Sequence, residues 1–511
     1  MLFNSYIFIF LFLPLCLIGF YILQNRQATL AKVWLTCFSL WFYGYFNQYY
    51  LLIMLCSIIG NYFIHGWIVS SRKSKTRLIT GVILNLLVLF YFKYFDFFIE
   101  NVNAIFGSSF PLKHILLPLG ISFFTFQQIS FLVDTYRGEL DSVSFVDYAL
   151  FVSFFPQLIA GPIVVHEEMI PQFDRIGKDT RSKEEKVEVF TKGVYVFVLG
   201  LAKKVLIADT FGVAVDLAYS NVNGIDGLES LITIVFYSLQ LYFDFSGYCD
   251  MAKGIAGMFG MKIANNFNSP YKAINIVDFW KRWHITLSRF FTKNIYIPLG
   301  GNRKGEGRMY LNYLIVFFLS GLWHGAGWNF ILWGMMHGVL YVATKWWIAQ
   351  RKTYVIKKDM LCNENNNKAV VDKKWLKQLL SVVACILTFA YASIAWVYFR
   401  ANTVEQANIL LTNIFTKPWA LPGSGFTDAF NLGEFWYVLK ILKLATLPYA
   451  NYYIMILFIA FALVITFFGK NIDELAEKFK PTFVNATITA VLFIWCVVSL
   501  SGVSTFLYFN F

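Results

Sequence analysis

Two histidines, His324 and His337, sit in LNYLIVFFLSGLWHGAGWNFILWGMMHGVLY, the run from Leu311 to Tyr341, which contains no Asp, Glu, Lys or Arg. An imidazole in such a run has two uses. It can take or give a proton in acid–base chemistry, or it can hydrogen-bond a neighbouring helix. Ionisable groups at membrane depth are costly, generally face a protein interior or a cavity, and so count as functional candidates. Around His324, Gly321, Gly325 and Gly327 permit close backbone approach or a local break that opens it to a cavity. His337, between Gly334 and Gly338, lacks that support and is read as structural. A second chemistry-bearing stretch runs from Lys272 to Arg308. On a helix from about Val277 to Phe291, Trp280, His284 and Ser288 recur every four residues and share one face. Asp278 and Arg282 form an i, i+4 pair on another. Lys281, Arg282, Arg289, Lys293, Arg303, Lys304 and Arg308 make this surface attractive to phosphates. Either a phosphorylated donor or anionic lipid, at about 1 kcal/mol per basic residue near the surface, accounts for them. In SLQLYFDFSGYCD, Asp250 is read as structural, whereas Asp244 either pairs with a cation or shapes a polar cavity.

The elements that must position these residues are membrane helices. The Leu311–Tyr341 run exceeds the roughly 20 residues that cross a bilayer core. Across 511 residues, 58% are hydrophobic and 14% charged, which excludes a soluble multidomain protein. The 19% aromatic content suits lipid-facing helices and interfacial belts. A net charge of +13 would fit nucleic acid, but the basic residues cluster in short loops between apolar spans, as positive-inside topology requires. Six of the seven cysteines (Cys16, Cys37, Cys56, Cys249, Cys385 and Cys496) lie in or beside apolar runs, with no metal spacing and no disulfide framework. P-loop and G-x-S-x-G motifs are missing, which weighs against a nucleotide-driven pump and a serine hydrolase.

Loop charge then sets topology. Residues 3–23 are expected to stay as a helix, and the basic loop SRKSKTR puts the N-terminus outside. If 148–165 crossed completely, the basic Lys272–Arg308 region would lie outside as well, against the rule. Phe151–Val164 carries Pro156, Gly161 and Pro162 and is therefore read as re-entrant or broken, the alternative being a kinked but complete span. A helix over 309–324 lifts His324 roughly 22 Å above the cytoplasmic boundary. Residues 401–450 form an external segment, and the C-terminus lies outside. The expected fold is an all-α polytopic membrane protein, one domain over 1–511, with about 10–12 transmembrane helices plus re-entrant or broken segments around a central cavity.

The series QLYFDFSGYCDMAKGIAGMFG, FWKRWHITLSRF, YIPLGGNRKG and GLWHGAGWNFILWGMMHG resembles the membrane-bound O-acyltransferase family. It is most like the bacterial branch of alginate and peptidoglycan O-acetyltransferases, in a family that also includes the D-alanyl transferase of teichoic acids. The linked motifs span residues 240–338, and MLFNSYIFIFLFLP, WVYFRA at Trp396 to Ala401 and the FLYFNF tail extend the resemblance over most of the chain. WKRWHITLS and FLYFNF differ from the family pattern in small ways that remove no catalytic group. The resemblance implies that His324, in the W-H-G motif, is catalytic and that His284, in R-W-H, is its companion. A neutral imidazole at His324 can accept the proton of an acceptor hydroxyl attacking a thioester carbonyl, worth about 10² to 10⁴-fold. His284 or a nearby polar group would orient the donor or stabilise the oxyanion. Trp323 and Trp328 would wall the cavity. Acetyl-CoA is the implied donor, with Lys281, Arg282 and Arg303 as phosphate contacts and Ser288 and Asp244 as further substrate-binding candidates. No bound cofactor, metal or nucleic acid is expected. The implied setting is the bacterial cytoplasmic membrane and its lipid, with an extracytoplasmic glycan as acceptor and a secreted or membrane-anchored partner that completes acetylation. The alternatives are D-alanyl transfer to teichoic acid, protein acyl transfer, and a channel or transporter whose histidines line a polar path.

Overall fold

The apolar runs fold as helices joined by short turns in a computed structural model that describes residues 1–71, 74–140, 142–361, 374–433, 436–443, 447–502 and 506–507. Arg72 and Lys73 of the SRKSKTR loop, positions 362–373 of the basic segment and Tyr508 to Phe511 of the tail lie outside the described residues. Among the described residues there is no strand, only one isolated antiparallel bridge between Phe267 and Trp283. The protein is an all-α polytopic membrane protein.

Among the described residues, four helices are long and apolar enough to cross a membrane by length and composition: Gln48–Val69, Lys75–Phe106 (α1), Trp375–Arg400 and Ala450–Phe468. Phe8–Gln24 and Phe483–Val498 are apolar but shorter. The helices that bear the motif residues fall outside this strict criterion, for a physical reason. Lipid-facing helices must be apolar all along, whereas a helix covered by its neighbours can carry polar groups that they satisfy. The four apolar helices lie mostly at the protein surface, no more than 28% of their most apolar stretch being buried. By contrast, Gly227–Met258 is buried over most of its length although it carries Glu229, Asp244 and Asp250; at about 1.5 Å per residue it is long enough to cross.

This central helix packs closely on Lys183–Ala202 (α2), and from here on Gly227–Met258 is α3. Gly200 and Gly247 sit face to face, where a Cβ on Gly200 would come within 2.7 Å of Gly247 O. Such small-residue contacts let two backbones approach in a membrane. The π-helical turn Lys203–Ala208 that follows α2 then places two lysines against the acids of α3. Lys203 pairs with Asp250 at 2.6 Å, and Lys204 with both Asp244 and Asp209 at 2.7 Å.

Phe151–Val164 is broken, as its prolines and glycine require. The helix Phe145–Ser153 ends at Phe154, a single turn Phe155–Leu158 starts with Pro156 in its first positions, and the chain stays irregular until His166–Phe173. Phe151, Phe154, Phe155 and Leu158 are buried, so this irregular backbone is covered by protein, the condition under which it is tolerated at membrane depth.

One expectation fails here. Val277–Phe291 is not a single helix but two, Ile276–Arg282 (α4) and Ile285–Phe291 (α5), because Trp283 is extended and His284 takes a left-handed φ of 46°. Trp280, His284 and Ser288 therefore do not form one helical face. The cause is Asn266, outside the segment. Its carbonyl accepts from Ile285 N at 3.0 Å, and its Oδ1 accepts from the backbone N–H of Thr286 at 3.2 Å and from the Thr286 hydroxyl at 2.9 Å. These bonds to the start of α5 replace the helical ones that the four-residue spacing suggested.

Candidate active site

His324 is the last residue of Glu306–His324 (α6). Gly325 turns the backbone to φ −161°, ψ 150°, and Trp328–Leu361 (α7) begins three residues later. The hairpin packs tightly. A Cβ on Gly321 would overlap Phe330 O, and one on Gly334 would overlap Phe317 O. Asn329 fixes the start of α7 by donating to Ala401 O at 2.7 Å and to Tyr398 O at 3.3 Å, on and just after the Lys374–Arg400 helix.

The His324 ring, 3% exposed, is walled by aromatic edges: Trp323 at 4.8 Å, Trp333 at 5.0 Å and Phe399 at 5.1 Å between centroids. The His284 ring lies 6.3 Å away. The left-handed turn that breaks α4 from α5 thus carries His284 out of the helix and up to His324. Its Nδ1 lies 3.1 Å from Asn266 Oδ1. That oxygen already accepts from Thr286, so His284 Nδ1 carries the hydrogen, by assignment of the hydrogen-bond network. In the neutral ring the opposite nitrogen, Nε2, is then an acceptor.

Two cavities approach this pair from opposite ends of the hairpin. The first, about 490 Å³, is lined by Trp280, Lys281, Ser288, Tyr313, Ser320 and Tyr341, among others. Ser320 lies one turn before His324 on α6, and Trp333 touches both Trp280 and His324. The second, about 770 Å³, is lined by Asp209, Asp216, Gln240, Gly327, Phe399 and Arg400, among others, and so reaches Phe399 at the edge of the His324 ring.

The sequence-predicted residues divide accordingly. His324, His284 and Trp323 come together. Lys281 and Ser288 line the first cavity, and Lys281 makes no ion pair among the described residues. Arg289 and Lys293 line it too, but Arg289 is held by Glu168, and Lys293 lies 2.9 Å from Asp134. Arg282 turns to Asp278 at 2.9 Å, and Arg303 sits in the Gly300–Lys304 turn; neither lines either of these two cavities. Asp244 does not line one either: one oxygen holds Lys204, and the other accepts from Leu507 N at 3.1 Å. Trp328 is a correction. It is 60% exposed and donates to Asn101 at 3.0 Å, so it faces away from the cavity; the turn at Gly325–Gly327 ends before it and turns it outward. His337 is buried and accepts from Trp280 Nε1 at 3.4 Å, while Trp333 separates it from His324.

Sequence reasoning missed Asn266, whose signal was weak, one polar residue in NNFNSP. It also missed Phe399 and Trp333, indistinguishable from other aromatics of the apolar runs, and Lys93, discussed below. For a metal, the described residues offer Asp134, His166 and Glu167, whose donor atoms lie within 4.8 Å of one another. The Lys293 ammonium stands 2.9 Å from Asp134 and 3.5 Å from Glu167, and so supplies the positive charge that a metal would bring.

The model of the membrane-bound O-acyltransferase family matches residues 80–363. Over the whole of this chain and 98% of its own length, the peptidoglycan O-acetyltransferase of Helicobacter pylori is 38% identical. The protein named "Probable alginate O-acetylase AlgI" of Pseudomonas aeruginosa is 36% identical over 80% of this chain and 73% of its own. The teichoic acid D-alanyltransferase of Streptococcus thermophilus is 28% identical over 51% of this chain and 64% of its own.

Proposed function

The chain belongs to the membrane-bound O-acyltransferase family, and we propose that it moves an acetyl group from cytoplasmic acetyl-CoA to a hydroxyl of an extracytoplasmic polysaccharide, with His324 as general base. The observation that carries this reading is that one cavity reaches Phe399 at the edge of the His324 ring while another reaches Ser320, one turn before it on α6. The first cavity opens beside Lys281 and the basic segment, the side that positive-inside topology assigns to the cytoplasm. It combines an unpaired cation at its lining with an aromatic interior, a suitable combination for a phosphorylated thioester. The second carries carboxylate, amide and guanidinium groups of the kind that hydrogen-bond sugar hydroxyls.

In the reaction, the acceptor hydroxyl oxygen attacks the thioester carbonyl carbon while His324 takes its proton. The carbon–sulfur bond then breaks, and the same proton passes to the departing thiolate. General-base help of this kind is worth about 10² to 10⁴-fold. His284 orients the acceptor by accepting, through Nε2, from a neighbouring sugar hydroxyl, since the single proton of the reacting hydroxyl goes to His324. A nitrogen without a hydrogen cannot donate to an oxyanion, so that role falls to another group. A secreted or membrane-anchored partner completes delivery to the glycan, both termini lie outside, and the protein resides in the bacterial cytoplasmic membrane.

Replacing His324 with Ala tests this. Base-labile acetate on cell-envelope and exported polysaccharides is expected to fall to the level of a deletion strain, with the variant still inserted and with D-alanine esters unchanged. Retained acetate would overturn the role of His324. Loss of D-alanine esters in place of acetate would transfer the reading to teichoic acid.

A further inference from the structure

Lys93 interrupts the apolar sequence LLVLFYFKYFDFF near the middle of α1. A lysine inside a membrane span is expensive and is kept where it does work. Among the described residues it forms no ion pair. Its ammonium instead donates to Trp323 O at 2.5 Å, His324 O at 3.2 Å and Ser122 Oγ at 3.3 Å. The next residue continues the row, with the Tyr94 hydroxyl donating to Leu322 O at 3.0 Å.

These acceptors are not arbitrary carbonyls. The last carbonyls of a helix have no partner within it, and α6 ends at His324, its last backbone bond being Gly325 N to Gly321 O. Leu322, Trp323 and His324 are therefore the carbonyls left over, and Lys93 and Tyr94 take all of them. A cation is also the favourable charge at a helix C-terminus. Both donors lie on the π-helical turn Phe90–Tyr94, a distortion that recurs at functional sites. Further along the same helix, Asn101 accepts from Trp328 Nε1 at 3.0 Å, so α1 grips the His324 turn at both ends. Between Lys93, Ser122, Trp323 and His324 remains a cavity of about 20 Å³, room for one water.

We propose that Lys93 is a positioning residue: it fixes the direction of the His324 imidazole by holding the backbone carbonyls on which that side chain is mounted. This rests on His324 being the base. A displacement of about 1 Å at a reacting group costs about 10²-fold in rate, and loss of these bonds would free the end of α6 by that order.

The test is release of CoA thiol from acetyl-CoA in the presence of a saturating chitin oligosaccharide as acceptor, by the purified full-length protein in nanodiscs, per mole of folded protein, for wild type, Lys93→Met, Lys93→Arg, Tyr94→Phe and His324→Ala. Lys93→Met is expected to lower kcat by about 10²-fold with the KM for acetyl-CoA changed less than about twofold. Lys93→Arg, which restores charge and donors, should recover at least about tenfold of that loss. Tyr94→Phe, which removes one bond, should cost about five- to tenfold. A Lys93→Met kcat within about twofold of wild type, a loss confined to KM, or no recovery in Lys93→Arg would overturn the proposal. If Lys93→Met does not insert, an unchanged kcat in Tyr94→Phe overturns it. An inactive His324→Ala beside a normal Lys93→Met removes the Lys93 inference alone; an active His324→Ala removes the base assignment and this inference with it.

Discussion

At the scale of single residues, the imidazole of His284 owes its place to an amide. Its backbone holds a left-handed conformation that a residue with a Cβ adopts at a cost, and Asn266 offsets that cost with bonds to the ring, to the backbone of α5 and to the Thr286 hydroxyl. Asn266→Ala should therefore lower acetyl transfer by about tenfold or more while the protein remains inserted. Asn266→Asp, which keeps an accepting oxygen, should retain more activity than Ala. Equal activity in wild type and Asn266→Ala, measured as acetyl ester formed per folded protein, would contradict this. His324 was legible from its glycines and apolar run alone, and His284 from its motif. Asn266 was not, because the donors it accepts from lie 18 to 20 residues ahead and only the folded turn brings them to it.

At the scale of elements, the α6–turn–α7 hairpin holds His324 between rings, and its close packing depends on positions that admit no Cβ. Gly334→Leu should force the two helices apart and cost about 1–3 kcal/mol, seen as a lower unfolding temperature and lost transfer. Gly307→Ala, at a position on α6 with nothing within 4 Å, should leave both unchanged. Equal effects of the two would show that the hairpin contact is not what matters. The broken Phe151–Val164 segment followed from its prolines, its glycine and loop charge. The break inside Val277–Phe291 did not. Its residues keep a helical period on both sides of Trp283, and the interruption comes from a bridge to Phe267 and from Asn266. Lys93 was passed over for a related reason: it reads as one charge in an apolar span, and the backbone carbonyls it holds lie 230 and 231 residues further along the chain.

At the scale of the whole molecule, apolar helices face outward and the buried α3 carries charged groups neutralised by lysines of the turn after α2. Hydropathy found the outer helices readily. It could not describe the interior, where partners from different helices satisfy one another. This division leaves a polar centre near His324, with one cavity reaching Phe399 beside its ring and another reaching Ser320 one turn before it. The most direct measurement reconstitutes the protein in one orientation in liposomes, with radiolabelled acetyl-CoA on the Lys281 side and a chitin oligosaccharide on the Arg400 side. The account predicts labelled ester on the oligosaccharide in that arrangement, none with the two substrates exchanged, and none with His324→Ala. Ester formation at equal rates in both arrangements, or its survival in His324→Ala, would contradict it.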